Sequence, residues 1–95
     1  MNGKQFQIPV TVYPGVFPRE LQVTFSISDG REINATVPLN SVRVEGDIDE
    51  QGVRGQMFVV VVDSLGEDLV LVSVPGEILG APSRVRLSKR ELQPA

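Results

Sequence analysis

Apolar and polar residues alternate with a period of two along most of this chain. Phe6, Ile8, Val10 and Val12 alternate with Gln5, Gln7, Pro9 and Thr11. That predicts a half-buried strand, because successive side chains of a strand point to opposite faces. Pro9 has no N–H for a ladder, which predicts an edge position for this strand or bonding through its other side there. After the turn-rich stretch Tyr13 to Pro18, Leu21, Val23, Phe25 and Ile27 alternate with Gln22, Thr24 and Ser26. Ile33, Ala35, Val37 and Leu39 carry a third strand, and Val42 and Val44 extend or follow it. Val85 and Leu87, flanked by Arg84 and Arg86, supply a last short strand.

The Asp29-Gly30 turn joins the second and third strands, and its register can be chosen on physical grounds. A two-residue loop of the type usual for Asp-Gly would pair Ile27 with Glu32 and Phe25 with Asn34. That sets an apolar face against a polar one. A three-residue loop, Ser28-Asp29-Gly30 with Gly30 in the left-handed conformation of a bulge, pairs Phe25 with Ile33 and Val23 with Ala35. Apolar then faces apolar throughout, and this is the expected register.

Residues 57–74 break the alternation. Met57-Phe58-Val59-Val60-Val61-Val62, a polar turn, and Leu69-Val70-Leu71-Val72-Ser73-Val74 place apolar residues at both parities. Such a hairpin is apolar on both faces, and a one-residue slip costs it little, so its pattern barely specifies register. Something must cover the second face. The internal candidates are the connection Tyr13 to Pro18 and the tail around Leu92; the external one is a second molecule.

Period-two strands joined by short turns predict an all-β fold. The expectation is a small, partly open antiparallel β-barrel of about six strands, with a β-sandwich as the alternative. Ninety-five residues suit a single domain spanning 1–95. One segment has a helical signature: Ser88-Lys89-Arg90-Glu91 has capping-box spacing, and Pro94 ends whatever starts there, which predicts at most a short C-terminal helical turn. A faint internal echo is also present. Strand, glycine turn, strand and Val37-Pro38 is followed later by strand, glycine turn, strand and Val74-Pro75, with one insertion. A duplicated unit would leave that trace, and so would two unrelated hairpins ending in proline.

Composition narrows the chemistry. The chain has no cysteine and no histidine, so disulfides, thiolate metal sites and the commonest general base are all missing. A serine nucleophile would need Lys4 or Lys89 as its base, and Ser88 beside Lys89 points to the opposite face on a strand. The carboxylates Asp47, Asp49, Glu50, Asp63, Glu67 and Asp68 belong to predicted loops without apolar neighbours to tune them for acid work. A non-catalytic protein without cofactor or metal is expected. A net charge of -3 argues against general attraction to nucleic acid or anionic membrane. The longest apolar run, Met57 to Val62, is too short for a membrane span, and Met-Asn-Gly-Lys-Gln is no signal peptide. A soluble cytoplasmic protein is expected.

The remaining motifs are weak. Asp47-Ile48-Asp49-Glu50-Gln51-Gly52 has the opening spacing of a calcium loop, but Phe58 stands where the twelfth-position glutamate is needed. Asn34-Ala35-Thr36 is a formal glycosylation sequon inside a predicted strand. Arg84, Arg86, Lys89 and Arg90 form a basic patch that could grip a phosphate or an acidic partner. No aromatic lies among them for base stacking.

Association is the leading expectation. One face of the valine hairpin offers on the order of 6–15 kcal/mol of gross burial, against about 4–15 kcal/mol for forming a complex. A homodimer contributes the face twice. The expected function is a non-catalytic interaction module, self-associating or built into a larger assembly, with Val59, Val60, Val61, Val70 and Val72 at the interface. The alternatives are an oligonucleotide-binding-type barrel using the basic patch and a small-molecule or carbohydrate-binding barrel using Tyr13 and Phe17.

Overall fold

The computed structural model describes residues 4–78 and 83–94. Among them are nine strands: β1 (Lys4–Pro14), β2 (Glu20–Ser26), β3 (Glu32–Pro38), β4 (Val42–Val44), β5 (Val53–Ser64), β6 (Leu69–Ser73), β7 (Glu77–Ile78), β8 (Arg84–Ser88) and β9 (Gln93–Pro94). Single 3-10 turns, Leu39–Ser41 and Lys89–Glu91, precede β4 and β9. All strands belong to one antiparallel sheet of order β7-β3-β2-β1-β5-β6-β8, with β4 added to β5 and β9 to β1. The sheet curls strongly into a half-barrel. Six longer strands carry it, and a single sheet replaces the two of the sandwich alternative.

The curl follows from the period-two pattern. Ile8, Val10 and Val12 of β1, Leu21, Val23 and Phe25 of β2, and Ala35 and Val37 of β3 turn their side chains inward. They meet Met57, Val59, Val70, Val72, Val85 and Leu87 in one apolar cluster. The expected register of the first hairpin is the observed one: Phe25 pairs with Ile33 and Val23 with Ala35. Gly30 takes the left-handed conformation at φ 88°, which costs glycine least.

Asp29 steadies this turn by accepting hydrogen bonds from the Arg31 backbone N–H at 3.0 Å and from Arg31 Nε at 2.8 Å. The Arg31 backbone N–H, with help from its guanidinium, holds the Asp29 carboxyl below the ordinary carboxylate range. A lowered carboxyl stabilises the fold above its unfolded-state pKa, and that stabilisation is lost as pH falls through the folded value. Because the pair is exposed, the effect is small. Asp29→Asn is therefore expected to be slightly less stable than wild type at neutral pH, and the gap should close below about pH 4. Denaturant unfolding of both proteins across that range checks this.

Of the two placements expected for Pro9, the edge position does not occur and bonding through the other side does. β1 lies at the centre of the sheet, because its partner along Lys4 to Val12 is the valine strand β5. On its other edge β2 pairs from Thr11 to Pro14 and β9 at Phe6 and Gln7. Pro9 falls between those two segments, where its missing N–H breaks no ladder.

The internal repeat is real as a pairing pattern, but its alignment differs from the Val37-Pro38 echo. The pair Val12–Val23 recurs 49 residues later as Val61–Val72. Leu21–Val37 recurs as Val70–Leu87. Arg43–Gln56 and Val44–Gly55, which attach β4 to β5, recur as Gln93–Gln7 and Pro94–Phe6, which attach β9 to β1. The bond from Leu39 N–H to the Arg19 carbonyl at 3.0 Å recurs from Lys89 N–H to the Asp68 carbonyl at 2.9 Å. Residues 4–44 and 53–94 thus carry one pairing diagram twice, joined by the acidic loop Glu45 to Gly52. The halves meet along β1 and β5, where the central pair Ile8–Met57 is its own counterpart. Val37 corresponds to Leu87, not to Val74. The pattern hid this because equivalent positions share burial and little else.

Each half also closes the curl of the other. The chain beyond β6 forms β7 and pairs with β3 at Ala35 and Thr36. The chain beyond β2 donates the Ser28 N–H to the Arg86 carbonyl of β8 at 3.0 Å. The Ser88 hydroxyl caps the C-terminal 3-10 turn by accepting the Arg90 N–H. Leu92 then packs on the core.

Candidate interaction face

The second face of the valine hairpin is the surface to account for. Inward side chains settle the parity. Val61, Val72 and Val85 form one cross-strand row, with Val72 fully buried. The rows beside it therefore point outward, since side chains alternate along a strand and agree across a pair. One outward row is Val60, Ser73 and Arg84. A bulge at Val62 then shifts the register by one residue, so the next outward row is Asp63, Leu71 and Arg86. A third holds Leu69 and Ser88, and Leu69 accepts the Leu65 N–H at 2.9 Å. The extra bulge residue turns Asp63 onto this face.

This arrangement corrects the interface expected from sequence. Val59, Val70 and Val72 are core residues, and Val61 packs against the core, so they line the inside of the half-barrel. Among the five, Val60 faces outward, at 40% exposure. The internal covers are not in place either. Val16 and Phe17 stand 79% and 63% exposed on the β1–β2 connection, and Leu92 joins the core instead. Arg43 covers part of Phe58, its guanidinium carbon 5.8 Å from the ring centroid.

The basic patch divides in two. Arg84 and Arg86 lie two residues apart on the outward side of β8, while Lys89 and Arg90 belong to the 3-10 turn beyond it. All four are exposed, and the ion pair among the described residues is the one between Arg31 and Asp29. Asp63 accepts the Ser64 N–H at 2.8 Å through Oδ1, leaving its second oxygen available.

The first half supplies an internal comparison. Positions equivalent to Val60, Ser73, Leu71 and Arg86 are Thr11, Thr24, Gln22 and Thr36. There Gln22 Nε2 donates to Thr36 Oγ1 at 2.8 Å, a hydrogen-bonded polar pair on the same backbone, with Tyr13 beside Gln22 at the position of Asp63. Two grooves follow the same rule. The one over Pro9, Thr11 and Thr24 encloses about 510 Å³ and is rimmed by Glu32, Glu45, Arg54 and Glu91. Its counterpart over Phe58, Val60 and Ser73 encloses about 300 Å³ and is rimmed by Gln5, Asn40 and Pro75. Since one sheet geometry accepts Thr, Gln and Thr in the first half, folding alone does not demand Val60 and Leu71 in the second.

The acidic segment closes the β4–β5 hairpin. Asp49 accepts the Gln51 N–H at 2.9 Å through Oδ1, and its carbonyl accepts the Gly52 N–H at 3.0 Å. Asp49 is thereby engaged in a turn of its own backbone. No group of three or more metal-ligating side chains gathers among the described residues, and no helix there is long and apolar enough to cross a membrane. Asn34 of the sequon is an exposed residue of β3.

Asp63, Leu69 and Leu71 are the face residues that sequence reasoning missed. Asp63 reads as one carboxylate of a turn, and the bulge that turns it outward has no signature among four consecutive valines. Fold and face together define a small, internally repeated β half-barrel with one polar and one apolar-basic outer surface. Comparison with protein-family models, curated proteins and solved structures finds no match.

Proposed function

We propose that this protein is a non-catalytic interaction module that self-associates through the outer face of β5, β6 and β8. The observation that carries the reading is the contrast between equivalent rows. Leu71 and Arg86 stand where the first half has the hydrogen-bonded pair Gln22 and Thr36. Val60, Leu65, Leu69 and Leu71 are partly exposed, and burying what remains of each is worth about 1 kcal/mol. Eight such side chains in a dimer contribute on the order of 8 kcal/mol, against about 4–15 kcal/mol for lost freedom. The net gain from apolar burial is thus at most about 4 kcal/mol, which alone supports association in the millimolar range at best, with polar pairs adding to it and deciding its geometry.

The test gives the second half the chemistry of the first. Leu71→Gln with Arg86→Thr recreates a pair that this backbone already tolerates. It should change folding stability by less than about 1 kcal/mol while abolishing self-association. Light scattering at high micromolar concentration checks this. A wild-type protein that stays strictly monomeric there overturns the reading, as does a double variant that associates as well as wild type.

A further inference from the structure

The row Asp63, Leu71, Arg86 has a property that a general apolar patch lacks: it is complementary to itself. Asp63 on β5 and Arg86 on β8 flank Leu71 on β6, each one strand spacing of about 4.8 Å away. A two-fold axis lying between two copies and running along β6 places Leu71 against Leu71. The same operation sets β5 of each copy over β8 of the other. Asp63 then meets the second copy's Arg86, and its own Arg86 meets the second copy's Asp63. One row along, Val60 faces the aliphatic stem of Arg84. Leu69 faces Leu69 on the axis. A two-fold axis perpendicular to the strands would instead set Asp63 on Asp63 and Arg86 on Arg86.

We infer that the occupant of this face is a second copy of the chain in that two-fold arrangement, held in register by two reciprocal Asp63–Arg86 ion pairs. The inference rests on the self-association proposed above and adds its geometry. Isologous interfaces require each residue to find the partner's complement, and this row meets the requirement with three residues. Neither Asp63 nor Arg86 has an ion pair within its own chain among the described residues. Charge complementarity of this kind decides register and partner choice more than it adds affinity. A nucleic-acid strand fits the face poorly, because Asp63, Leu69 and Leu71 would lie against phosphates beside the arginines.

Two single variants test the geometry together. In Asp63→Arg every two-fold contact sets arginine against arginine, and in Arg86→Asp it sets aspartate against aspartate. Each alone should dimerise at least tenfold more weakly than wild type in analytical ultracentrifugation at low salt. Mixed in equal amounts they should form a heterodimer. The arginine introduced on β5 of one variant then meets the aspartate introduced on β8 of the other, and the unaltered Arg86 meets the unaltered Asp63. Recovery of dimer on mixing supports the two-fold pairing in trans. Single variants that dimerise like wild type, or a mixture that stays monomeric, overturn the geometry. Self-association through the face would survive that failure if wild type dimerises and the Leu71→Gln, Arg86→Thr protein does not.

Discussion

Gly76→Ala is expected to detach β7 from β3 and open one side of the half-barrel. A methyl group at this position would lie 1.9 Å from the Thr36 carbonyl oxygen and 2.8 Å from the Val37 Cα. Both are backbone atoms in the middle of a sheet and cannot swing aside. The chain must move instead, and with it go the pairs Thr36–Glu77 and Ala35–Ile78. Ile78 is buried, so its release costs up to about 1.5–3 kcal/mol, and two ladder bonds add about 1 kcal/mol each. A loss of roughly 3–5 kcal/mol is expected on this account. Amide exchange around Ala35 and Thr36 should accelerate more than exchange along β1 and β5. Gly46→Ala is the control, since its added methyl meets the Val53 side chain at an ordinary 3.6 Å. Equal stability of Gly76→Ala and Gly46→Ala would refute this account. The repeat gives the reason for the glycine. At the equivalent position stands Ile27, and there closure consists of the bond from Ser28 N–H to the Arg86 carbonyl. Glycine allows the closer approach that makes a paired strand.

The second large effect is expected from Leu87→Ala. Leu87 is among the most completely buried side chains and sits on β8, the last strand of the sheet path. Removing its side chain should cost about 2–5 kcal/mol, a transfer loss plus the cavity left behind. In a domain of this size each kcal/mol lowers Tm by about 4–8 °C. Its counterpart Val37, equally buried, loses a smaller side-chain volume on mutation to alanine, having one carbon fewer than leucine, and should fall less. Both variants should unfold in a single transition, because the two halves share one apolar cluster and meet along the nine-residue ladder of β1 and β5. Calorimetry that resolves two transitions in either variant would rule out one shared core and make the halves independent units.

Legibility in the sequence tracks how strongly alternation constrains each segment. For residues 21–37 the apolar positions all have one parity, so burial and register follow from the pattern, and the Ser28-Asp29-Gly30 loop can be chosen over the two-residue alternative. For residues 57–74 both parities are apolar. The pattern does not separate the inward set, Met57, Val59, Val61, Val70 and Val72, from the outward set of Phe58, Val60, Leu69 and Leu71. That ambiguity puts three core valines among the expected interface residues. The short strands β7 and β9 have two residues each, too few for any periodicity.

The class of fold is written in the chain itself: period-two apolar residues with short turns bury their apolar side in antiparallel sheet, and the structure decides for one curled sheet over two packed ones. So is the first hairpin, whose two strands are apolar on one face each. Which face of the valine hairpin looks outward is settled only in three dimensions, because it rests on pairing with β1 and β8, far away in the chain. The repeat also emerges only there, since equivalence lies in hydrogen-bond partners rather than in residue types. Asp63, Leu71 and Arg86 join one row for the same reason, through a bulge whose extra residue is one more valine among valines.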